Sequence, residues 1–256
     1  MHTSLDSKIA LVTGASKGVG RGIAFELAKA GCDVIVNYHN DAAGAATTVN
    51  EVIGLGRRAI AVAADVSRRT DVEKMFQQVA EAFGRLDVLV NNAGIQTWKP
   101  LLELQEDDWD RVLATNLKGS FLCTQQAARL MTGRGGAIIN IGSGCNKWPF
   151  RNLVDYTASK GGLEMFTKVS AVELGPLKIR VNCVAPGAIE IERTKSELGD
   201  YAGMWSKVTP LGRIGTPSDV GRAVVFLASE AADFITGQTI WVDGGLYTRP
   251  VAPVEA

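Results

Sequence analysis

The sequence predicts an α/β fold built on one doubly wound parallel sheet of about seven strands, with helices on both faces. Three observations predict it. Short runs that are apolar throughout, as strands covered on both sides must be, recur along the chain. Longer segments with apolar residues at helical spacing separate them, which is the alternation that builds parallel sheets. A glycine-rich turn follows the first run directly, where such sheets bind ligands outside the carboxyl ends of their strands.

The first strand covers residues 9–13, Ile-Ala-Leu-Val-Thr. A helix follows over 18–29, with Ile23, Phe25, Leu27 and Ala28 among polar residues and Gly31 as its stop. Further strands are read at 34–36, 59–63, 88–90, 137–141, 181–184 and 239–242. Val72, Met75, Phe76 and Val79 mark one connecting helix. Glu106, Asp107 and Asp108 stand ahead of another, where carboxylates meet the positive end of its dipole. No repeat, low-complexity tract or Pro/Ser-rich linker divides the chain, so 1–256 is read as a single domain with a core from about 8 to 245. Residues 247–256, from Tyr247 through two prolines, are expected to leave that core as a tail.

Composition excludes several classes. Lys+Arg and Asp+Glu are equal at 27 each, and the basic residues are scattered, which argues against nucleic acid or an anionic membrane as partner. Cys32, Cys123, Cys145 and Cys183 stand far apart and read as reduced thiols of a cytoplasmic protein. His2 and His39 are too few for a His-rich metal site, so no metal is expected. No signal pattern opens the sequence, and no apolar stretch is long enough to span a bilayer.

The turn Thr13-Gly-Ala-Ser-Lys-Gly-Val-Gly20 lets the backbone approach a pyrophosphate, and the helix opening near Gly18 offers free N–H groups and partial positive charge. Its spacing is not the commoner G-x-G-x-x-G. Asp65-Val66 follows the third strand, where a carboxylate suits an adenine amino group. Asn91-Asn92-Ala93-Gly94 ends the fourth strand with small and amide-bearing residues, and Pro186-Gly187 ends the sixth. Each, met alone, is also ordinary turn chemistry.

Tyr156 and Lys160 lie at i and i+4 of a helical pattern and share one face. A free phenol titrates near 10, and bringing it to about 7 takes about 4 kcal/mol of differential stabilisation. A neighbouring ammonium acts in that direction. The alternative is a packing aromatic beside a solvated lysine. Ser143 follows the fifth strand and is placed to hold a substrate oxygen beside the phenol. Asn116 is a polar residue in a helical stretch over 109–122, either simply satisfied there or fixing a water that links Lys160 to solvent.

Taken together in this order, these motifs resemble the short-chain dehydrogenase/reductase family, in its roughly 250-residue branch with TGxxxGxG and YxxxK signatures. The likeness runs from Lys8 to about Gly245 and includes Val242-Asp243-Gly244-Gly245. It implies a Rossmann-like sheet in the order 3-2-1-4-5-6-7, a catalytic tetrad of Asn116, Ser143, Tyr156 and Lys160, and a homotetramer. Phosphate and ribose contacts carry over to Gly14, Ser16, Lys17, Gly18, Val19 and Gly20. Asn37, Tyr38, His39, Asp65 and Val66 are carried over for the adenosine half. Asn92, Ala93, Gly94, Pro186, Gly187 and Ile189, with Tyr156 and Lys160, surround the nicotinamide half.

Family members that prefer NAD usually carry an acid at the end of the second strand. Tyr38 occupies that position, and Lys17 and His39 are available to a 2′-phosphate, so NADP(H) is the expected cofactor and NAD(H) the alternative. The expected reaction interconverts a carbonyl and a secondary alcohol in a small molecule. Val36-Asn-Tyr38 resembles sugar 1-dehydrogenases, whereas most other motifs are shared with 3-oxoacyl-carrier-protein reductases. Lys168 is the only basic residue over 163–177, which weighs against carrier docking there. A non-catalytic NADP-binding sensor would have no need of the serine and phenol. Substrate contacts are expected around 95–98, 144–153 and 188–207, the last read as a mobile lid or a subunit contact. Trp98, Trp148 and Phe150 are either pocket or core aromatics, and Thr194 is not counted as a cofactor contact because Glu190-Ile-Glu-Arg separates it from Pro186-Gly187.

Overall fold

The computed structural model describes residues 3–192, 194 and 199–248. Seven strands form one parallel sheet: β1 (Ile9–Val12), β2 (Asp33–Tyr38), β3 (Ala59–Ala63), β4 (Val88–Asn91), β5 (Gly136–Ile141), β6 (Ile179–Pro186) and β7 (Thr239–Val242). Their order is β3-β2-β1-β4-β5-β6-β7, as the resemblance implies. Register fixes the crevice: Val12 pairs with Val36 of β2 on one side and Val90 of β4 on the other. The chain leaves β1 and β4 in opposite directions at that point, which opens a gap at their carboxyl ends.

Side chains along β1 alternate between two cores. Ala10 and Val12 face the cluster that holds Ile23 and Leu27 of α1 (Gly18–Lys29), Val52 of α2 (Ala42–Gly54) and Val220 and Val224 of a later helix. Ile9 and Leu11 face the other cluster, with Val72, Met75 and Val79 of α3 (Arg69–Phe83). Glu106, Asp107 and Asp108 lie in the first turn of α4 (Glu106–Leu113), as their charge suggests. A π-helical turn over Ala114–Lys118 then joins α4 to α5 (Gly119–Met131), whose Cys123 and Met131 complete the second core. The catalytic segment rides on α6 (Val154–Leu174). Two helices follow, α7 (Tyr201–Val208) and α8 (Pro217–Ala228). A capping box of Thr216 and Asp219 with Pro217 at the start sets the first turn of α8.

Two boundaries differ from expectation. The core begins before residue 8: Leu5 is fully buried, and its N–H donates to the Ala30 carbonyl. At the other end Tyr247 does not leave the core. It folds back over Gly144, where a Cβ would lie 2.1 Å from its hydroxyl, and packs edge-on against Phe150 and Trp241. A large ring finds a seat there because Gly144 has no side chain, and position near the terminus gives no hint of it. Residues 249–256 of the expected tail lie outside the described residues, as do 193 and 195–198 of the expected lid. No helix among the described residues is long and apolar enough to cross a membrane.

Candidate active site

One cleft of about 1100 Å³ runs along the carboxyl ends of the strands. It is lined by every residue carried over for the cofactor and by Ser143, Tyr156 and Lys160. Asn116 is the exception. Its volume lies at the upper end for small-molecule sites, as a long ligand requires.

The glycine turn is shaped by what holds it. Thr13 Oγ1 accepts hydrogen bonds from the N–H groups of Asn92 and Ala93, both at 3.0 Å, and so sews the end of β1 to the end of β4. Asn92 Nδ2 answers by donating to the carbonyls of Thr13 and Gly14 at 2.9 and 3.1 Å. On the other side, Asn37 Oδ1 accepts from Gly14 N–H, while its Nδ2 donates to the carbonyls of Val62 and Ala64. Asn37 therefore lines the cleft with its amide committed to protein, and its side chain positions the turn rather than a ligand. Gly14 has φ +61°, and a Cβ on Gly20 would lie 2.4 Å from the Gly14 carbonyl oxygen, so neither position has room for a side chain. Lys17 stands in extended conformation ahead of α1, and no side chain caps that helix. Its first N–H groups are left to an anion. Glycines that hold a cradle open, with a helix end facing it, fit the pyrophosphate of a nicotinamide dinucleotide.

At the adenosine end Asp65 Oδ1 accepts from Ser67 N–H and Oγ at 2.9 and 2.7 Å. Burial alone would raise the Asp65 carboxyl, but these bonds and nearby His39 outweigh it and hold the group below its usual range. His39 Nε2 lies 4.0 Å from Asp65 Oδ2, and both line the cleft. Arg21 is tied to Glu51, whereas Lys17 is exposed and has no ion pair among the described residues. That leaves the Lys17 ammonium and the His39 imidazole lining the cleft along with Tyr38.

At the other end Ser143 follows β5 with its Oγ accepting from Cys145 N–H at 3.2 Å, an N-cap that orients the hydroxyl. Tyr156 lies in the first turn of α6, and Lys160 one turn on. The Lys160 ammonium is 5.5 Å from the Tyr156 ring centroid and donates to the Ile141 carbonyl at 2.7 Å. Only 4% of Lys160 is exposed, and burial brings its pKa down from 10.5 to about 8.

Asn116 is satisfied by the protein's own groups. It is buried behind the cleft wall, with Oδ1 accepting from Ile95 N–H and Nδ2 donating to the Ile95 carbonyl and to Ser159 Oγ. Both amide hydrogens are used, so the side chain cannot also donate to a relay water. Instead it fastens the loop after β4 to α6, since Ser159 in turn donates to the Tyr156 carbonyl at 2.7 Å. The π-helical turn carries Asn116 to that junction.

Other residues support the site in ways the sequence did not indicate. Asn91 Nδ2 donates to Asn140 Oδ1 at 2.8 Å, and Asn140 Nδ2 donates to Thr167 Oγ1 at 2.9 Å. This buried line ties β4, β5 and α6 beneath the site. Asn140 in an otherwise aliphatic strand was the signal available for it. Thr194, set aside for its spacing, lines the cleft with its hydroxyl bonded to Ile191. Tyr201, at the start of α7, lines it as well. Ile95 and Gln96 reach the cleft, whereas Trp98 is 57% exposed and Phe150 packs on Tyr247.

Comparison with known proteins agrees with this arrangement. The family model described as enoyl-(acyl carrier protein) reductase matches residues 14–247. A 3-oxoacyl-(acyl-carrier-protein) reductase of Staphylococcus epidermidis is 42% identical over 242 residues, covering 94% of this chain and 99% of the relative. The chain belongs to the short-chain dehydrogenase/reductase family. Versicolorin reductase 1 of Dothistroma septosporum is 37% identical over 255 residues, 95% of this chain and 97% of that one. Among solved structures, a gluconate 5-dehydrogenase from Burkholderia cenocepacia, in complex with NADP and tartrate, superposes with a TM-score of 0.90 at 35% identity. That match covers 97% of this chain and 98% of the other. As a short-chain dehydrogenase/reductase the chain is an oxidoreductase that uses a nicotinamide dinucleotide. It interconverts a carbonyl and a secondary alcohol by hydride transfer.

Proposed function

We propose that the protein prefers NADP(H), and that Tyr156 moves the proton that accompanies the hydride. The observation that carries this is the buried Lys160 ammonium, one helical turn from Tyr156 and at the same end of the cleft as Ser143. When bound, the dinucleotide supplies or accepts the hydride. In reduction, Tyr156 donates its phenolic proton to the carbonyl oxygen, while Ser143 hydrogen-bonds the same atom. The ammonium of Lys160 favours the phenolate left behind, and loss of water from the buried site strengthens that attraction. In oxidation the phenolate takes the alcohol proton. Asn116 contributes by holding the Tyr156 turn through Ser159.

NADP(H) preference is supported by Tyr38 in place of an acid and by Lys17 without an ion pair among the described residues. Tyr156→Phe should lower kcat by about 10²- to 10⁴-fold while NADPH affinity stays nearly constant. Following NADPH absorbance over sugars, acyl thioesters, steroids and aromatic ketones tests the reaction, and an active Tyr156→Phe enzyme would refute the assignment. A second, narrower reading is 3-oxoacyl-carrier-protein reduction, favoured by the 42% identity to such an enzyme. Against it, Lys168 is paired with Glu164 at 3.0 Å and offers little to an acidic carrier.

The assembly we propose is a homotetramer. Met165, Val169 and Val172 form an exposed apolar stripe on α6, with Phe121 of α5 beside it. Sedimentation velocity reads the state directly. All four cysteines are free and buried, which suits the cytoplasm.

A further inference from the structure

Tyr247 is drawn to the edge of the reaction centre by contacts no sequence motif announces. Its N–H donates to Asp243 Oδ2 at 2.9 Å, and its carbonyl accepts from Lys147 Nζ at 3.2 Å. The ring is wedged between Phe150, with centroids 6.4 Å apart, and Trp241 at 5.9 Å. The phenol end lies over Gly144, the residue directly after Ser143: a Cβ there would be 2.1 Å from the hydroxyl and 2.2 Å from Cζ. The backbone is thus anchored at both ends of the residue, and the hydroxyl is delivered to one place.

What that hydroxyl does is not accounted for by the fold. It makes no hydrogen bond to any described residue, although the rest of Tyr247 is well tied. Burial raises its pKa, and nearby Cys145, Tyr201, Asp243 and Tyr156 raise it further, so it stays a neutral donor throughout the working range. It therefore cannot replace Tyr156 as an acid or base. Tyr156 and Tyr201, which it senses, both line the cleft.

We propose that Tyr247 is a specificity-determining residue whose hydroxyl donates to a second oxygen on the carbon beside the reacting carbonyl. This rests on the carbonyl-reductase reading of Ser143 and Tyr156. Those two hydroxyls address the carbonyl oxygen, and Tyr247, seated over Gly144 next in the chain to Ser143, supplies a third for a neighbouring one. The favoured substrates are then vicinally oxygenated ketones or alcohols rather than plain ones.

The test compares matched pairs with NADPH: 3-hydroxybutan-2-one against butan-2-one, and 2-hydroxy-1-phenylethanone against 1-phenylethanone. For each enzyme the readout is the ratio of kcat/KM within a pair. Tyr247→Phe keeps the ring, its edge contacts and the seat over Gly144, so the variant retains the fold. A neutral hydrogen bond corresponds to about a 2- to 10-fold change, and the ratio should fall by that factor in the variant. The intrinsic reactivity of the hydroxylated ketones cancels, because the same pair is measured in both enzymes. A merely structural role would lower both members of a pair alike and leave the ratio unchanged, and that result overturns the proposal alone. A wild-type enzyme inactive on all four compounds and on the wider carbonyl panel overturns the reductase reading, and the proposal with it.

Discussion

Replacing Lys160 by methionine should stabilise the protein while abolishing its activity. The side chain is 4% exposed, and burial moves its pKa from 10.5 to about 8. That gap corresponds to about 3 kcal/mol spent keeping the ammonium charged inside the fold. Methionine fills the same channel without a charge but loses the charge-assisted bond to the Ile141 carbonyl, worth about 2 kcal/mol. The net gain is about 1 kcal/mol at pH 7, or roughly 2–4 °C in Tm for a chain of this size. The pH dependence has a definite sign. Between pH 8 and 10.5 the unfolded lysine binds more protons than the folded one, so the wild type gains stability as pH rises through this window. Below pH 8 the full penalty applies; above 10.5 none remains. The advantage of Lys160→Met should therefore be largest at pH 7 and shrink by pH 10. Thermal melts of both proteins without cofactor, at pH 7, 8.5 and 10, measure it. A variant less stable than wild type at pH 7, or a difference flat across pH, would refute the assigned burial cost. Loss of turnover in the same variant would mark the lysine as a residue kept for chemistry at the expense of the fold.

Gly20→Ala should raise the NADPH Kd by about tenfold or more, because its methyl would collide with the Gly14 carbonyl and with Asn92 Nδ2 at 2.5 Å; fluorescence titration reads this. Thr13→Val keeps the shape but strips the acceptor from the Ala93 N–H, so urea unfolding should show a loss of about 2 kcal/mol. The Asn92 N–H is partly protected by its second acceptor, Val90. Lys17→Ala should lower kcat/KM for NADP by about tenfold and for NAD much less, with the difference fading at high salt. Equal losses for both cofactors would remove Lys17 from phosphate binding.

Much of the molecule was legible in the sequence because the relevant physics is local. An apolar run such as residues 137–141 has few alternatives to a buried strand, and glycines at 14, 18 and 20 declare a backbone that must come close to something. Tyr156 and Lys160 could be placed on one face because helical spacing alone decides it. What could not be read depended on partners far away in sequence. Asn116 was visible as an awkward polar residue, but its meeting with Ile95 and Ser159 is set by how a loop and two helices pack. Asn37 sits at a ligand-binding strand end, yet its amide turns to Gly14 and to β3. Thr194 was set aside on spacing, although the chain after Gly187 brings it back to the cleft. Tyr247 was assigned to a tail because its seat is made by an absent side chain 103 positions earlier, at Gly144.

The stitching of Thr13, Asn37 and Asn92 around the glycine turn has a further consequence, for how such a protein diversifies. The turn is shaped on folding and needs little ordering when a ligand arrives. The same economy makes it intolerant, since each stitch is shared by two strand ends and no single residue can change alone. The opposite wall is joined differently. Beyond Gly187, an isolated bridge pairs Ile189, ahead of α7, with Gly215, which follows it. Changes beyond Ile189 leave the stitches of Thr13, Asn37 and Asn92 untouched, so one bank of the cleft can vary while the glycine turn is held constant.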